Sequence, residues 1–153
     1  MIKVLFICHG NICRSTMAQS IMTHLIKRDN LQDQFYIESA ATSREEIGNP
    51  PHYGTISKLR EVGIPVIPHR AVQMTPQDYD RYDYLIGMDD ANIRNMKRIC
   101  QGKEEKIYKI LEFAGSHESV ADPWYTGNFD HTYEDLIKGC KAFLNYLKEN
   151  EGI

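Results

Sequence analysis

The sequence predicts an α/β fold, a four-stranded parallel sheet with helices on both faces. Two observations lead there. Short runs rich in β-branched and aromatic residues alternate along the chain with longer segments whose apolar residues recur every three or four positions. Strands alternating with helices imply a parallel sheet with right-handed crossovers. The second observation is size: 153 residues of ordinary globular composition are expected to form one domain, 1–153, with a proper core. No repeat, low-complexity stretch or linker rich in Pro, Gly and Ser divides the chain.

Val4-Leu5-Phe6-Ile7-Cys8 is the first strand, an apolar run of the buried kind. After a short loop, a helix runs from about Ser15 to Arg28, with Ala18, Ile21, Met22, Leu25 and Ile26 on one face. Phe35–Ala40 reads as the second strand. A polar loop holding Glu45 and Glu46 ends at Pro50-Pro51, and a helix from about Tyr53 to Val62 stops at Gly63, with Pro65 barring its continuation. Val66–Val72 is expected as a short irregular strand, and Thr75 as the N-cap of Pro76-Gln77-Asp78-Tyr79. Tyr84–Met88 is a central strand, Asp89 and Asp90 cap a helix through about Cys100, and Lys106–Ile110 is the last strand. In the final helix Tyr133, Leu136, Ile137, Cys140, Phe143, Leu144 and Leu147 form a stripe that packs on the sheet. Thr132 with Asp135 gives a capping-box pattern at its start.

Sites in such sheets form at the carboxyl ends of strands, where the order reverses. Cys8, Ser39-Ala40 and Met88-Asp89 all end strands, so they converge. Cys8 is the informative one, because Arg14 stands six residues later, where a helix begins. The loop can turn backbone N–H groups inward, and the helix adds its unpaired N–H groups and positive dipole end. The result is a site for a dianionic oxyanion with a sulfur nucleophile at its base.

The residue types fit that chemistry. A thiol near its ordinary pKa of about 8.5 attacks poorly, and a helix N-terminus or adjacent Arg brings it to roughly 3.5–7.5. Arg14 is planar, always charged and matches two phosphate oxygens at once. The Ser15 hydroxyl can donate to the thiolate or to the leaving sulfur. Gly10 lets the backbone approach an anion or take positive φ, and Asn11 tolerates left-handed backbone while its side chain pins the loop. Alone, a Cys–Arg pair would ordinarily be a buried strand residue and a surface helix residue. The strand–loop–helix setting favours the catalytic alternative. Asp122-Pro123-Trp124-Tyr125, between the last strand and last helix, is on the residues alone either a turn start or a general acid beside aromatics.

Net charge of −3, pI near 6.1 and the absence of a Lys/Arg cluster argue against nucleic acid as a partner. No run approaches the ~20 apolar residues of a membrane span. With no signal peptide in view, the four cysteines (8, 13, 100 and 140) are expected as reduced thiols of a cytoplasmic protein.

The string Cys8-His9-Gly10-Asn11-Ile12-Cys13-Arg14-Ser15 resembles the low-molecular-weight protein tyrosine phosphatases. Ser39–Ser43, Gly48-Asn49-Pro50-Pro51, His69-Arg70-Ala71, Met88-Asp89 and Asp122-Pro123-Trp124 follow in that family's order, so the resemblance spans essentially the whole chain. It implies a three-layer, flavodoxin-like fold of the phosphotyrosine phosphatase I type. It implies hydrolysis of phosphotyrosine or aryl phosphates through a phosphocysteine on Cys8, with phosphate held by Arg14 and by the loop from His9 through Gly10, Asn11, Ile12 and Cys13 to Ser15. Asp122 would act as general acid and then base, and Trp124 and Tyr125 would form one cleft wall. No cofactor or metal is implied; the partners are phosphotyrosine proteins, small aryl phosphates and inorganic phosphate or other oxyanions.

The resemblance also implies a reversible Cys8–Cys13 disulfide, where the residues alone allow a packing thiol at Cys13. His69, Ser39, Ser43 and Asn11 are expected to brace the loop. Three positions depart from the family pattern: Glu45 stands where many members carry an aromatic in the opposite wall, His9 replaces an apolar residue, and Thr16 replaces a frequent Pro. Glu45 and Glu46 at the rim lead us to expect weaker binding of acidic phosphopeptides. An arsenate reductase coupled to thioredoxin would need further cysteines, and residues 63–99 hold none. A phosphoryl carrier or a silent anion-binding module would not need Arg14 and Asp122 together. A zinc site at Cys8, His9 and Cys13 would place a cation against Arg14.

Overall fold

The computed structural model describes residues 1–153. Its sheet contains β1 (Ile2–Cys8), β2 (Phe35–Ala41), β3 (Tyr84–Gly87) and β4 (Ile107–Lys109). All pairings are parallel and the order is β2-β1-β3-β4, so this part of the expectation holds. The chain first builds outward from β1 to β2, then crosses back to place β3 on the other side of β1. The reversal therefore falls at the carboxyl end of β1, where Cys8 is the last residue.

Alternation along β1 sorts the helices. Val4, Phe6 and Cys8 face a core shared with α1 (Arg14–Arg28) and α6 (Phe129–Glu151). Leu5 and Ile7 face the opposite core, with Tyr79 of α3 (Asp78–Arg81) and Met96 of α4 (Asp90–Ile99). The stripe of α6 reaches the sheet where Phe143 meets Phe6 edge-on, ring centroids 6.4 Å apart. Gly139 on the same face lets α6 approach closely, since a Cβ there would lie 2.7 Å from Ile110 Cγ1. α2 (Tyr53–Glu61) packs beside α1 and α6. A four-residue helix, α5 (Pro123–Thr126), lies just before α6. No helix is long and apolar enough to cross a membrane.

Three local expectations are corrected. Residues 66–72 form no strand; only Gln73 makes an isolated bridge, to Ala41. Pro68 removes one donor from this stretch, and three others go elsewhere: Ile67 to Ser20 Oγ, Ala71 to the Asn49 carbonyl and Val72 to Asn11 Oδ1. Thr75 is not the cap of α3. Instead the Asp78 carboxylate reaches back to accept the Thr75 N–H at 2.8 Å. Thr132 lies inside α6, whose cap is Asn128, accepting from the His131 N–H at 3.0 Å. Thr132 is therefore too far inside the helix to cap it, and its hydroxyl donates back to the Asn128 carbonyl.

Candidate active site

The loop after β1 turns its carbonyls away from the cleft. Thr42 N–H donates to the Cys8 carbonyl (3.0 Å), Ser43 N–H to that of His9 (3.1 Å), His52 N–H to that of Ile12 (2.8 Å) and Met17 N–H to that of Cys13 (3.1 Å). The Ser43 hydroxyl adds a bond to the His9 carbonyl, and those of Thr16 and Thr55 add bonds to that of Cys13. With the acceptors fixed outward, the donors face the other way. Asn11 N–H points at Cys8 Sγ, 3.3 Å away, and the N–H groups of Gly10, Ile12, Cys13, Arg14 and Ser15 meet no protein acceptor. Asn11 makes the reversal, at φ +59°. Gly10 does not take positive φ, contrary to one of its two expected uses.

Asn11 is held from four sides. Its Nδ2 donates to Ser15 Oγ (2.8 Å) and Ser39 Oγ (3.0 Å), while its Oδ1 accepts from Val72 N–H (3.2 Å) and His69 Nε2 (2.7 Å). Burial pushes the His69 imidazole below its ordinary pKa, so it is neutral at pH 7 with its proton on Nε2 toward Asn11. Ser39 passes its own proton to Gln19 Oε1 at 2.6 Å. Ser15, having accepted from Asn11, has its hydroxyl proton free for Cys8 Sγ, 3.1 Å away. Ser43 braces the loop through the His9 carbonyl rather than through this network.

Arg14 is buried, only 2% exposed. Nη1 donates to Asp89 Oδ2 (2.7 Å) and to the Val120 carbonyl (2.9 Å), and Nη2 lies 3.5 Å from Asp122 Oδ2. Nε has no partner at all. Burial opposes the charge, but Cys8, Asp89 and Asp122 outweigh it and hold the guanidinium above its ordinary pKa. Asp89 also caps α4 through Oδ1, which accepts from Asn92 N–H at 2.7 Å. Asp122 caps α5, accepting the Trp124 N–H at 3.0 Å through Oδ1 while Oδ2 faces Arg14. Turn start and cleft residue are thus one role, not two alternatives.

The cleft is lined by Cys8, His9, Gly10, Ile12, Cys13, Glu45, Glu46, Asp122, Trp124 and Tyr125. Asn11, Arg14 and Ser15 stand behind it as the frame. Trp124 and Tyr125 are mostly exposed at its rim. Glu45 is not a bare charge, since its carboxylate meets His9 Nε2 at 2.8 Å across the mouth. Cys8 and Cys13 are free thiols. Burial, then the charges of Cys8 and Asp122, push the Cys13 thiol up to about 12, so it stays protonated at neutral pH.

Sequence reasoning missed three contributors. Asp89 is expected as a helix cap and as a strand end that converges on Cys8, but its ion pair with Arg14 is not. Gln19 and His52 carry no motif; only the three-dimensional contacts reveal them.

A loop of free amides around a sulfur, backed by a buried arginine at the switch point of a doubly wound sheet, defines an α/β phosphatase. The model for low molecular weight phosphotyrosine protein phosphatases matches residues 3–152. The low molecular weight protein-tyrosine-phosphatase PtpA of Staphylococcus aureus (strain MRSA252) is 35% identical over 154 residues, 100% of this chain and 98% of the relative. The crystal structure of YfkJ from Bacillus subtilis superposes with a TM-score of 0.95 at 38% identity, covering 99% of this chain and 97% of that one. The low molecular weight protein tyrosine phosphatase SP-PTP from Streptococcus pyogenes gives 0.89 at 42% identity, with 99% and 97% covered. This chain belongs to the low-molecular-weight phosphotyrosine protein phosphatase family.

Proposed function

We propose that the chain hydrolyses phosphotyrosine, in proteins and as small aryl phosphates, through a phosphocysteine on Cys8. The unpartnered Nε–H of the buried Arg14 supports this most directly. A buried donor without an acceptor is costly, and here it sits beside five loop amides that meet no protein acceptor. An oxyanion with several acceptor oxygens satisfies them together.

In this reading the Cys8 thiolate attacks phosphorus in line, forming the S–P bond as the P–O bond to the phenol breaks. Arg14 and the loop amides hold the equatorial oxygens. Asp122 gives its proton to the departing phenolate oxygen. Asp122, now a carboxylate, takes a proton from water, which attacks the phosphocysteine and releases Cys8 and inorganic phosphate. The Ser15 hydroxyl and Asn11 N–H, both aimed at Sγ, take up the charge that sulfur regains as it leaves. The positive charge that offsets the dianion comes from Arg14, the amides and the end of α1. Four free thiols suit a reducing cytoplasm.

The test is hydrolysis of aryl phosphates at pH 5–7 without added metal. Asp122→Ala should lower kcat/KM on phenyl phosphate ~10²–10³-fold, and far less on p-nitrophenyl phosphate, whose leaving group needs little protonation. Equal rates for wild type and variant on phenyl phosphate would move the acid elsewhere.

The rim gives a second expected result. Glu45 and Glu46 should disfavour phosphopeptides with acidic neighbours, but His9 Nε2 occupies part of the Glu45 carboxylate at 2.8 Å. His9→Ala should therefore widen the preference for basic over acidic peptides, and Glu45→Gln should narrow it, each about two- to fivefold, the scale of an exposed ion pair. Titrating matched peptide pairs decides the matter; an acidic peptide preferred by wild type would sink it.

A further inference from the structure

His52 joins the phosphate loop to the segment that carries Asp122. Its backbone N–H donates to the Ile12 carbonyl at 2.8 Å, which ties it to the loop beneath the phosphate site. Its Nδ1 accepts the Gly54 N–H at 3.0 Å and caps α2. The same ring stacks with Tyr53 (centroids 4.4 Å, planes 29° apart) and with Phe129 (5.2 Å, 16°). The Trp124 indole meets it nearly edge-on, at 5.8 Å and 79°. The Trp124 backbone N–H in turn donates to Asp122 Oδ1 at 3.0 Å. A continuous chain of contacts thus runs from the Ile12 carbonyl through His52 and Trp124 to the Asp122 carboxylate.

The segment needs such an anchor. Arg14 Nη2 lies 3.5 Å from the carboxylate, but between Ala121 and Asn128 only Pro123 is buried, so few contacts fix the rest of the segment. Its far end is pinned at the same place. Phe129 lies flat against Gly54, where a Cβ would come within 2.4 Å of the ring, and it stacks on His52. The imidazole therefore contacts the segment at both Trp124 and Phe129, while its own backbone is tied to the phosphate loop.

We propose that His52 is a positioning residue for the acid: its ring holds Trp124, and through Trp124 the Asp122 carboxylate, over the Cys8 loop. The inference rests on the assignment of Asp122 as general acid. A loosened carboxylate spends less time within reach of the leaving oxygen, so the step that suffers is cleavage of bonds to poor leaving groups. Esters of acidic phenols depart without a proton and are spared.

The experiment measures kcat/KM over a series from phenyl to p-nitrophenyl to dinitrophenyl phosphate, with Asp122→Ala as reference and melting temperatures for every variant. Two substitutions separate the ring from the cap. His52→Asn keeps an acceptor for the Gly54 N–H and loses the ring; His52→Phe keeps the ring and loses the acceptor. Wild type should depend weakly on the leaving group and Asp122→Ala steeply. His52→Asn should fall between them, losing about tenfold on phenyl phosphate and under about twofold on the dinitrophenyl ester, while His52→Phe keeps the wild-type slope. A uniform loss across the series that tracks melting temperature marks a merely structural role and overturns the proposal. So does a His52→Phe slope as steep as that of His52→Asn. A steep Asp122→Ala with a wild-type slope in His52→Asn sinks the positioning role alone; a flat Asp122→Ala removes the acid and this role with it.

Discussion

Cys8→Ser should lose aryl phosphatase turnover by ~10⁴-fold or more while keeping its fold and its affinity for phosphate. The serine oxygen takes the place of sulfur at the end of β1, within reach of the same Asn11 N–H and Ser15 hydroxyl. Size is therefore not the problem. A hydroxyl ionises far less readily than a thiol, and no base lies beside it to take its proton: Ser15 is a donor here, and His69 faces Asn11. Cys13 offers no substitute, since its thiol is pushed up to about 12. Phosphate binding is expected to survive because Arg14 and the amides are untouched. Turnover and a phosphate-dependent rise in melting temperature, read on the same sample, check both halves. Residual activity within tenfold of wild type would assign the nucleophile elsewhere.

Arg14→Lys should cost about 10³-fold in kcat/KM, although it preserves charge. The guanidinium does two jobs with different edges. Nη1 is held by Asp89 and the Val120 carbonyl, which fixes the plane, and Nε with Nη2 is left as a two-pronged edge for oxygen. An ammonium cannot serve both sides at once; Asp89, already within 2.7 Å of the arginine, draws it away from the cleft. Inhibition by inorganic phosphate should weaken in parallel, because the lost contact is made to the phosphoryl group itself. Activity within tenfold of wild type would show that a point charge suffices and that the forked geometry is incidental.

The sequence was legible where local pattern and position coincide. β1, the loop and α1 form one uninterrupted signal, and the alternation of later elements placed Met88-Asp89 and Ser39 at the same end of the sheet. Legibility failed where side chains replace backbone pairing. Val66–Val72 has the composition of a strand, but Ser20, Asn11 and Asn49 take three of its N–H groups, and Asn11 belongs to the site's frame. Thr132 with Asp135 mimics a cap, but the helix starts one turn earlier, at Asn128. Within the site, Cys8 and Arg14 stand out by residue type and spacing, and Asp122 through the family resemblance. The Asp89–Arg14 pair spans 75 residues and the His52–Trp124 contact spans 72, and no local signal encodes either.

The unmet donors around Cys8 also bear on how firmly the protein holds together. A buried donor left without an acceptor costs about 1–3 kcal/mol, against a total of about 5–15 kcal/mol for a domain. An oxyanion that meets the Arg14 Nε–H and the amides binds the folded chain and not the unfolded one, and so stabilises the native state. The melting temperature then becomes a gauge of free phosphate, climbing with the logarithm of its concentration once the site begins to fill.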